Sequence, residues 1–351
     1  MINTFKFRNV QRLPDFKDVM ILPKKSNISS RKEVVLTREI GFRVNKNRIV
    51  GWKGVPIISS NMDTVSDLKT FKILKEYDYI TCFPKHFNKV WNETGYPQEE
   101  LKYTDNYMLS CGINRDDYAQ AIVVINNLKA MYNISVKFLC IDVANGYLEE
   151  LGNICRLLRE NFPNIILVAG NVVTPERVYE LIKIHGVNIV KVGIGSGMAC
   201  ETRLKTGVGF PQLSAVIDCS VAAHEAGGYT ISDGGIKDPC DFVKAFAGGA
   251  DFVMAGGIFS GHLESPGTEL VDKNGNHFKA FYGMSSLEAN VKYTGSLKRY
   301  RTSEGKFIKV ALKGNLHDTI LDINGGIRSA CTYINANNIE KIYKNSEFII
   351  I

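Results

Sequence analysis

The sequence predicts a single α/β domain, a (β/α)8 TIM barrel with a C-terminal flap over its mouth. Three observations predict it. From Val55 onward, short apolar, β-branched runs alternate with amphipathic helical segments, the pattern of repeated βα units around a parallel sheet. The strand-like runs number eight, which is what closes such a barrel. Polar residues and glycines gather just after those runs, where barrels of this kind build their sites.

Taken in order, residues 1–54 read as an irregular, charged lead-in, because Pro14, Pro23 and Ser29-Ser30-Arg31 interrupt any periodicity. Strands are expected at Val55–Ser59, Tyr79–Phe83, Tyr107–Cys111, Val136–Asp142, Ile165–Ala169, Asn188–Gly193, Tyr229–Asp233 and Asp251–Ala255. Between them, Thr174-Pro175-Glu176 supplies an N-cap, a first-turn proline and an acid. The helix that follows has Val178, Leu181 and Ile182 on one face, and Gly186 ends it. Asp238-Pro239 starts another, with Phe242, Ala245 and Phe246 inward and Gly248-Gly249 as its stop; Gly227-Gly228 closes a helix running from Pro211 to Ala226. After the eighth strand the rhythm breaks. Glu269–Val271 and His277–Phe281 flank Lys273-Asn274-Gly275, a hairpin signal. Residues 264–314 are expected to form that hairpin and a mobile flap, polar and charged from Gly283 to Gly314. A last helix near Leu316–Ile323 and a tail ending Phe348–Ile351 complete one domain over 1–351.

Composition narrows the function. With 45% hydrophobic residues among 351, the chain can bury a large core. The net charge of +7 is spread along the chain, so it favours anionic small molecules and gives no basic block for nucleic acid. The eight cysteines form no Cys-x-x-Cys pair and no zinc spacing, and several sit inside apolar strands, which fits a reducing, cytoplasmic setting. The N-terminus carries no signal-like apolar region and no apolar run approaches ~18 residues, so no membrane partner is expected.

The chemistry centres on Val190 to Gln212. A buried strand opens there into a glycine-rich loop that carries one thiol, Cys200. Gly193, Gly195 and Gly197 let the backbone approach a ligand closely and leave amides and carbonyls free. A thiol in such a loop is a candidate nucleophile, and a buried bystander otherwise. The strand ends add Asn61, Asp63, Asp142, Asn145, Asn171, Asp233 to Gly235 and Gly256-Gly257. Asp233 with its two glycines suits the vicinal hydroxyls of a ribose, and Gly256-Gly257 occupies the phosphate position frequent in barrels. Alone, each reads as a helix cap or a turn; together they describe a barrel enzyme with a covalent cysteine and a ribose-phosphate ligand. The loop near Gly195, Gly197 and Cys200 also offers carbonyls to a monovalent cation.

Gly195-Ser-Gly-Met-Ala-Cys-Glu-Thr-Arg203, Thr206-Gly-Val-Gly-Phe-Pro-Gln212, Ile231-Ser-Asp-Gly-Gly235 and Phe252-Val-Met-Ala-Gly-Gly257 resemble the IMP dehydrogenase and GMP reductase family. Phe281-Tyr-Gly-Met-Ser-Ser286, Tyr300-Arg-Thr-Ser-Glu-Gly-Lys306 and Gly325-Gly-Ile-Arg-Ser-Ala-Cys-Thr-Tyr333 are similar to its GMP reductase branch, as are Asp15-Phe-Lys-Asp-Val19 and Ser30-Arg-Lys-Glu-Val34. Strands four and five are joined by one short helix, which leaves no room for the regulatory insert of many IMP dehydrogenases. The resemblance implies reductive deamination of GMP to IMP and ammonia by NADPH. Cys200 would attack the purine C2 to form a thioimidate, and Thr202 and Glu304 would move the proton that releases ammonia. It places the substrate at Asp233, Gly234, Gly235, Gly256, Gly257, Gly283, Met284, Ser285, Arg301, Ser303 and Gly305. It places the cofactor at Ser30, Arg31, Lys85, Asp142, Ala144, Ile194, Gly195, Ser329, Ala330, Cys331 and Thr332, with Arg31 and Lys85 toward the 2′-phosphate. No Gly-x-Gly-x-x-Gly fingerprint follows a strand, so this is not Rossmann binding. K+ on the carbonyls of Gly195, Gly197 and Cys200 and a homotetramer complete the implied picture.

Three residues depart from the family pattern. Ser196 stands for a proline, Met198 for a serine that faces the phosphate, and Glu201 for a threonine beside the nucleophile. Loss of one charge-assisted hydrogen bond at Met198 would cost roughly 1.5–3 kcal/mol of binding, and a carboxylate at Glu201 would tend to raise the thiol's pKa. Two alternatives compete: an IMP dehydrogenase without its insert, against which the Arg-Thr-Ser-Glu-Gly flap argues, and a nucleotide-binding paralogue without turnover.

Overall fold

The computed structural model describes residues 13–296, 300 and 302–351. Strand β1 (Val19–Ile21) is followed by an antiparallel hairpin of β2 (Arg38–Asn45) and β3 (Arg48–Gly54). Eight parallel strands come next: β4 (Ile57–Ser59), β5 (Ile80–Cys82), β6 (Tyr107–Cys111), β7 (Phe138–Asp142), β8 (Ile166–Val172), β9 (Ile189–Val192), β10 (Tyr229–Asp233) and β11 (Phe252–Ala255). They close in sequence order, with β11 hydrogen-bonded back to β4. Each strand lies within its expected run except β8, which continues to Val172.

The barrel explains why those runs read as continuously apolar. Both faces of each strand are covered. Ile58, Ile80, Met108, Phe138, Ile166 and Phe252 fill the interior, while Ile57, Leu109, Leu139, Leu167, Val190 and Val253 pack outward under the helices. The helix Pro175–Lys183 has its predicted first-turn proline, and Asp238 caps Pro239–Ala247 reciprocally with Asp241.

The lead-in is more ordered than expected. Residues 38–54 form the hairpin, and Ile40, Phe42 and Val44 alternate onto one buried face. With Trp52 they plug the amino-terminal end of the barrel. The Phe42 ring lies 6.0 Å from Phe138 and 6.3 Å from Phe252, and Trp52 lies 5.3 Å from Phe252. Burying each such aromatic contributes ~1.5–3 kcal/mol. The period of two was present between the charged residues, and the prolines earlier in the segment do not reach it.

The flap region also differs. β12 (Glu269–Val271) and β13 (His277–Tyr282) make the expected hairpin, but β14 (Phe307–Ala311) adds a third antiparallel strand, and a helix spans Leu287–Thr294. A polar loop was expected across Gly283–Gly314; Phe307–Ala311 pairs with β13 instead, with Ile308 and Val310 alternating onto its less exposed face. The helix expected near Leu316–Ile323 runs Leu316–Tyr333, well past Ile323. Gly326 lies inside it because a Cβ there would come within 2.7 Å of Pro239 Cβ, so the glycine permits close helix packing rather than ending the helix. Helix Glu340–Asn345 follows, and β15 (Phe348–Ile350) pairs with β1. All eight cysteines are free thiols, and no helix among the described residues is long and apolar enough to cross a membrane.

Candidate active site

An open cavity lies at the carboxyl ends of the strands, walled by the loops after β4 and β7–β11 and by the flap. β9 delivers the glycine-rich loop. Gly193 has φ +149°, and a Cβ there would collide with the Asp233 carbonyl, so only glycine lets the chain pass beneath β10.

Cys200 ends that loop half-buried, and its Sγ donates to Thr202 Oγ1 at 3.3 Å. Thr202 opens the short helix Thr202–Thr206, and its hydroxyl donates to Glu304 Oε2 at 2.8 Å. A thiol, a hydroxyl and a carboxylate are thus joined in line, although Glu304 is more than a hundred residues away. The backbone holds the alignment. Glu201 N–H donates to the Glu304 carbonyl at 2.7 Å, Lys306 N–H to that of Ala199 at 3.0 Å, and Glu304 N–H to that of Ser285 at 3.2 Å.

The flap is tied to the barrel by Asp63, just after β4. Its Oδ2 accepts from Tyr282 (2.9 Å), Lys292 (2.7 Å) and Tyr293 (2.5 Å), the latter two on the flap helix. The Tyr293 ring stacks on His86 with centroids 3.4 Å apart. Burial first, and then the Lys85 charge, push the His86 pKa down to about 4, so that ring is neutral at physiological pH.

A charged network crosses the mouth of the barrel. Lys191 Nζ, fully buried on β9, lies 2.6 Å from Asp142 Oδ1 and 2.9 Å from Asp233 Oδ2. Asn61 donates to Asp142 Oδ2 (3.0 Å), and Asn171 donates to Asp233 Oδ2 (2.8 Å) and the Gly193 carbonyl (2.9 Å). Burial opposes the charge on Lys191, but the two carboxylates outweigh it and hold the ammonium well above the ordinary lysine range. Burial likewise opposes ionisation of Asp142, and Lys191 outweighs it, so that carboxyl titrates below its usual value. Sequence reasoning passed over Lys191. The signal was a lysine inside Ile189-Val-Lys-Val192, where only a paired cation is stable.

The structure brings together most residues singled out from the sequence. Cys200, Thr202, Glu304, Asp233, Gly234, Gly235, Gly256, Gly257, Gly283, Met284, Ser285 and Gly305 line the cavity, with Asp142, Ala144, Ile194, Gly195 and Gly197. Ser303 lies beside them, its hydroxyl on the Gly305 carbonyl at 2.8 Å. Arg301 lies outside the described residues. Others stand apart from this cavity. Lys85 is paired with Asp117 at 2.7 Å. Ser30 caps the turn Arg31–Glu33, which packs on helix Leu316–Tyr333, the element that carries Ser329, Ala330 and Thr332. Cys331 is fully buried in the core, and burial pushes its thiol up to about 12.

Of the three departures, Ser196 Oγ donates to the Asp233 carbonyl at 3.3 Å. Met198 lies over Gly257, where a Cβ would come within 2.6 Å of its Cε. The Glu201 carboxylate leans toward Lys205 Nζ at 3.9 Å. Among the described residues, no cluster of His, Cys, Asp or Glu could hold a metal. The carbonyl of Gly197 accepts from Cys200 N–H at 3.0 Å and keeps a second lone pair.

Residues 14–351 match the model of the IMP dehydrogenase / GMP reductase domain. The chain is 45% identical over 337 residues to a GMP reductase of Yersinia pestis (strain Pestoides F), covering 95% of this chain and 93% of that protein. It is equally similar, over the same shares, to a GMP reductase of Yersinia pseudotuberculosis serotype O:1b (strain IP 31758).

Proposed function

The chain belongs to the IMP dehydrogenase / GMP reductase family and is an oxidoreductase with a nucleotide cofactor, and from that premise we propose that it reduces GMP with NADPH to IMP and ammonia. The observation that carries this reading is the line from Cys200 Sγ through Thr202 Oγ1 to Glu304 Oε2 (3.3 and 2.8 Å). Cys200 attacks C2 of the purine, and the C2–N bond breaks as the exocyclic nitrogen leaves. The thiol proton travels through Thr202 and Glu304 to that nitrogen, which departs as ammonia. NADPH, when bound, supplies a hydride to the same carbon; the C–S bond then breaks and the thiolate takes up a proton. Splitting one substitution into two easier steps is the gain of the covalent route.

Asp233 has one oxygen engaged by Lys191 and Asn171 and presents the other to the ribose hydroxyls. Gly234-Gly235, Gly256-Gly257 and Gly283 to Ser285 cradle phosphate and base, with Ser303 and Gly305 behind the base. The cofactor's reactive end fits the part of the cavity walled by Asp142, Ala144, Ile194 and Gly195. Asn171, which lines the cavity, supports a polar ligand there, since its buried Oδ1 has no partner among the described residues. Ser30, Arg31, Lys85 and residues 329–332 are proposed for the distant phosphate-bearing end. The carbonyls of Gly195, Gly197 and Cys200 are proposed to hold K+, which would fix the loop carrying the thiol. The flap over 283–314 is proposed to move during turnover, and the oligomer is proposed to be a homotetramer.

The test follows NADPH absorbance with GMP present, and NADH appearance with IMP and NAD+. GMP-dependent NADPH loss is expected and no NADH gain; the opposite pattern identifies an IMP dehydrogenase. Tight GMP binding without NADPH loss at any K+ concentration identifies a silent paralogue.

A further inference from the structure

A lysine at the centre of a barrel strand must be matched by opposite charge, because an unpaired buried ammonium is strongly disfavoured. Lys191 is matched twice. Its Nζ lies 2.6 Å from Asp142 Oδ1 on β7 and 2.9 Å from Asp233 Oδ2 on β10, with Met254 Sδ at 4.0 Å. Asp142 and Asp233 both line the cavity, on the sides proposed above for the cofactor and the ribose, so one cation stands between the two carboxylates. Each carboxylate is steadied by its own amide, Asn61 for Asp142 and Asn171 for Asp233. Among the described residues, the Cys82 and Cys140 thiols and Lys85 also act on this cluster.

We propose that Lys191 is a positioning residue that couples the two halves of the site, its single ammonium aiming both carboxylates. The affinity for the nucleotide then depends on the charge of Asp142, which belongs to the other ligand. The inference rests on reading the cavity as a nucleotide site with a cofactor site beside it. Without Lys191, two carboxylates that shared one nitrogen repel each other across a water-poor gap. Removing the charge of Asp142 relieves that repulsion and frees Asp233 to bind ribose again.

The test measures dissociation constants for IMP and for NADP+, a pair that does not turn over without ammonia, by titration calorimetry. Lys191→Met is expected to weaken IMP binding roughly 10-fold or more, and Asp142→Asn in that background to restore most of the loss. Lys191→Arg, which keeps the charge, is expected to stay near wild type. Purely additive effects of Lys191→Met and Asp142→Asn, or unchanged IMP binding in Lys191→Met, overturn the coupling. Should Lys191→Met fail to fold, Asp142→Asn alone reads the same coupling: IMP affinity should change by about threefold, and an unchanged value overturns it. A wild-type protein that binds neither ligand overturns the site reading and the coupling with it, whereas one that binds both while the variants act additively overturns the coupling alone.

Discussion

Replacing Asp63 by alanine should release the flap while leaving the barrel intact. The carboxylate is 4% exposed and accepts from three flap groups at 2.9, 2.7 and 2.5 Å. Hydrogen bonds to a charged acceptor are each worth ~1.5–3 kcal/mol. The two tyrosine hydroxyls can find water once the flap lifts, so the lower figure applies to each. Lys292 is 52% exposed and adds little beyond a surface pair. The closed flap therefore loses ~3 kcal/mol, roughly a hundredfold in its opening equilibrium. The Tyr293–His86 stack survives the change and keeps the flap from detaching altogether.

Amide exchange followed by mass spectrometry measures this directly. Peptides covering Leu287–Thr294 should exchange about a hundredfold faster in Asp63→Ala, while peptides from β6 to β9 stay at the wild-type rate. Turnover should fall with them, because the proposed lifting of the flap would carry Glu304 away from Thr202, which donates to it at 2.8 Å. Unchanged exchange in the flap helix would refute the latch. Equal loosening of flap and barrel would show that Asp63 supports the whole fold instead.

Cys200→Ala should abolish GMP-dependent NADPH oxidation while leaving IMP affinity within about twofold by calorimetry, since the thiol contributes a bond rather than binding contacts. Glu304→Gln should slow ammonia release by ~10²–10⁴ and alter GMP binding far less, read by comparing kcat with KM; equal losses in both would count against its acid role. His224 donates to Asp251 Oδ2 at 2.9 Å, and that hydrogen bond raises its pKa against burial and the Arg38 charge. Its contribution to stability is whole below the unfolded value of about 6.5 and is lost as pH rises through the higher folded value, so urea midpoints should fall over that rise and His224→Gln should flatten the fall. Phe42→Ala should cost ~3–5 kcal/mol by emptying the plug beneath the barrel, seen as a lower urea midpoint at unchanged slope.

The barrel was legible because its strands are buried on both faces, so each one announces itself as an apolar run regardless of its neighbours. The hairpin Arg38–Gly54 was not, although Ile40, Phe42 and Val44 alternate perfectly well. Its outer face carries Glu39, Arg43 and Asn45, and a charged segment flanked by prolines has the composition of a loop until something apolar is known to lie beneath it. The same holds for β14, whose Phe307, Ile308 and Val310 are interrupted by Lys309. A strand that meets the core on one face depends on a partner the local sequence does not reveal.

The site divides along the same line. Cys200, Asp233 and the paired glycines stand where strands become loops, and polar residues there are conspicuous against an apolar background. Lys191 stands one turn of the pleat earlier, inside a strand, and its meaning lies in Asp142 and Asp233, which come from strands two positions to one side and one to the other. No spacing in the chain encodes that meeting; barrel closure does. Asp63 is similar, since its three partners lie more than two hundred residues downstream. What the sequence hides is therefore not the reacting groups but the charges that hold them in register, and these are fixed only when the strands and flap converge at one end of the barrel.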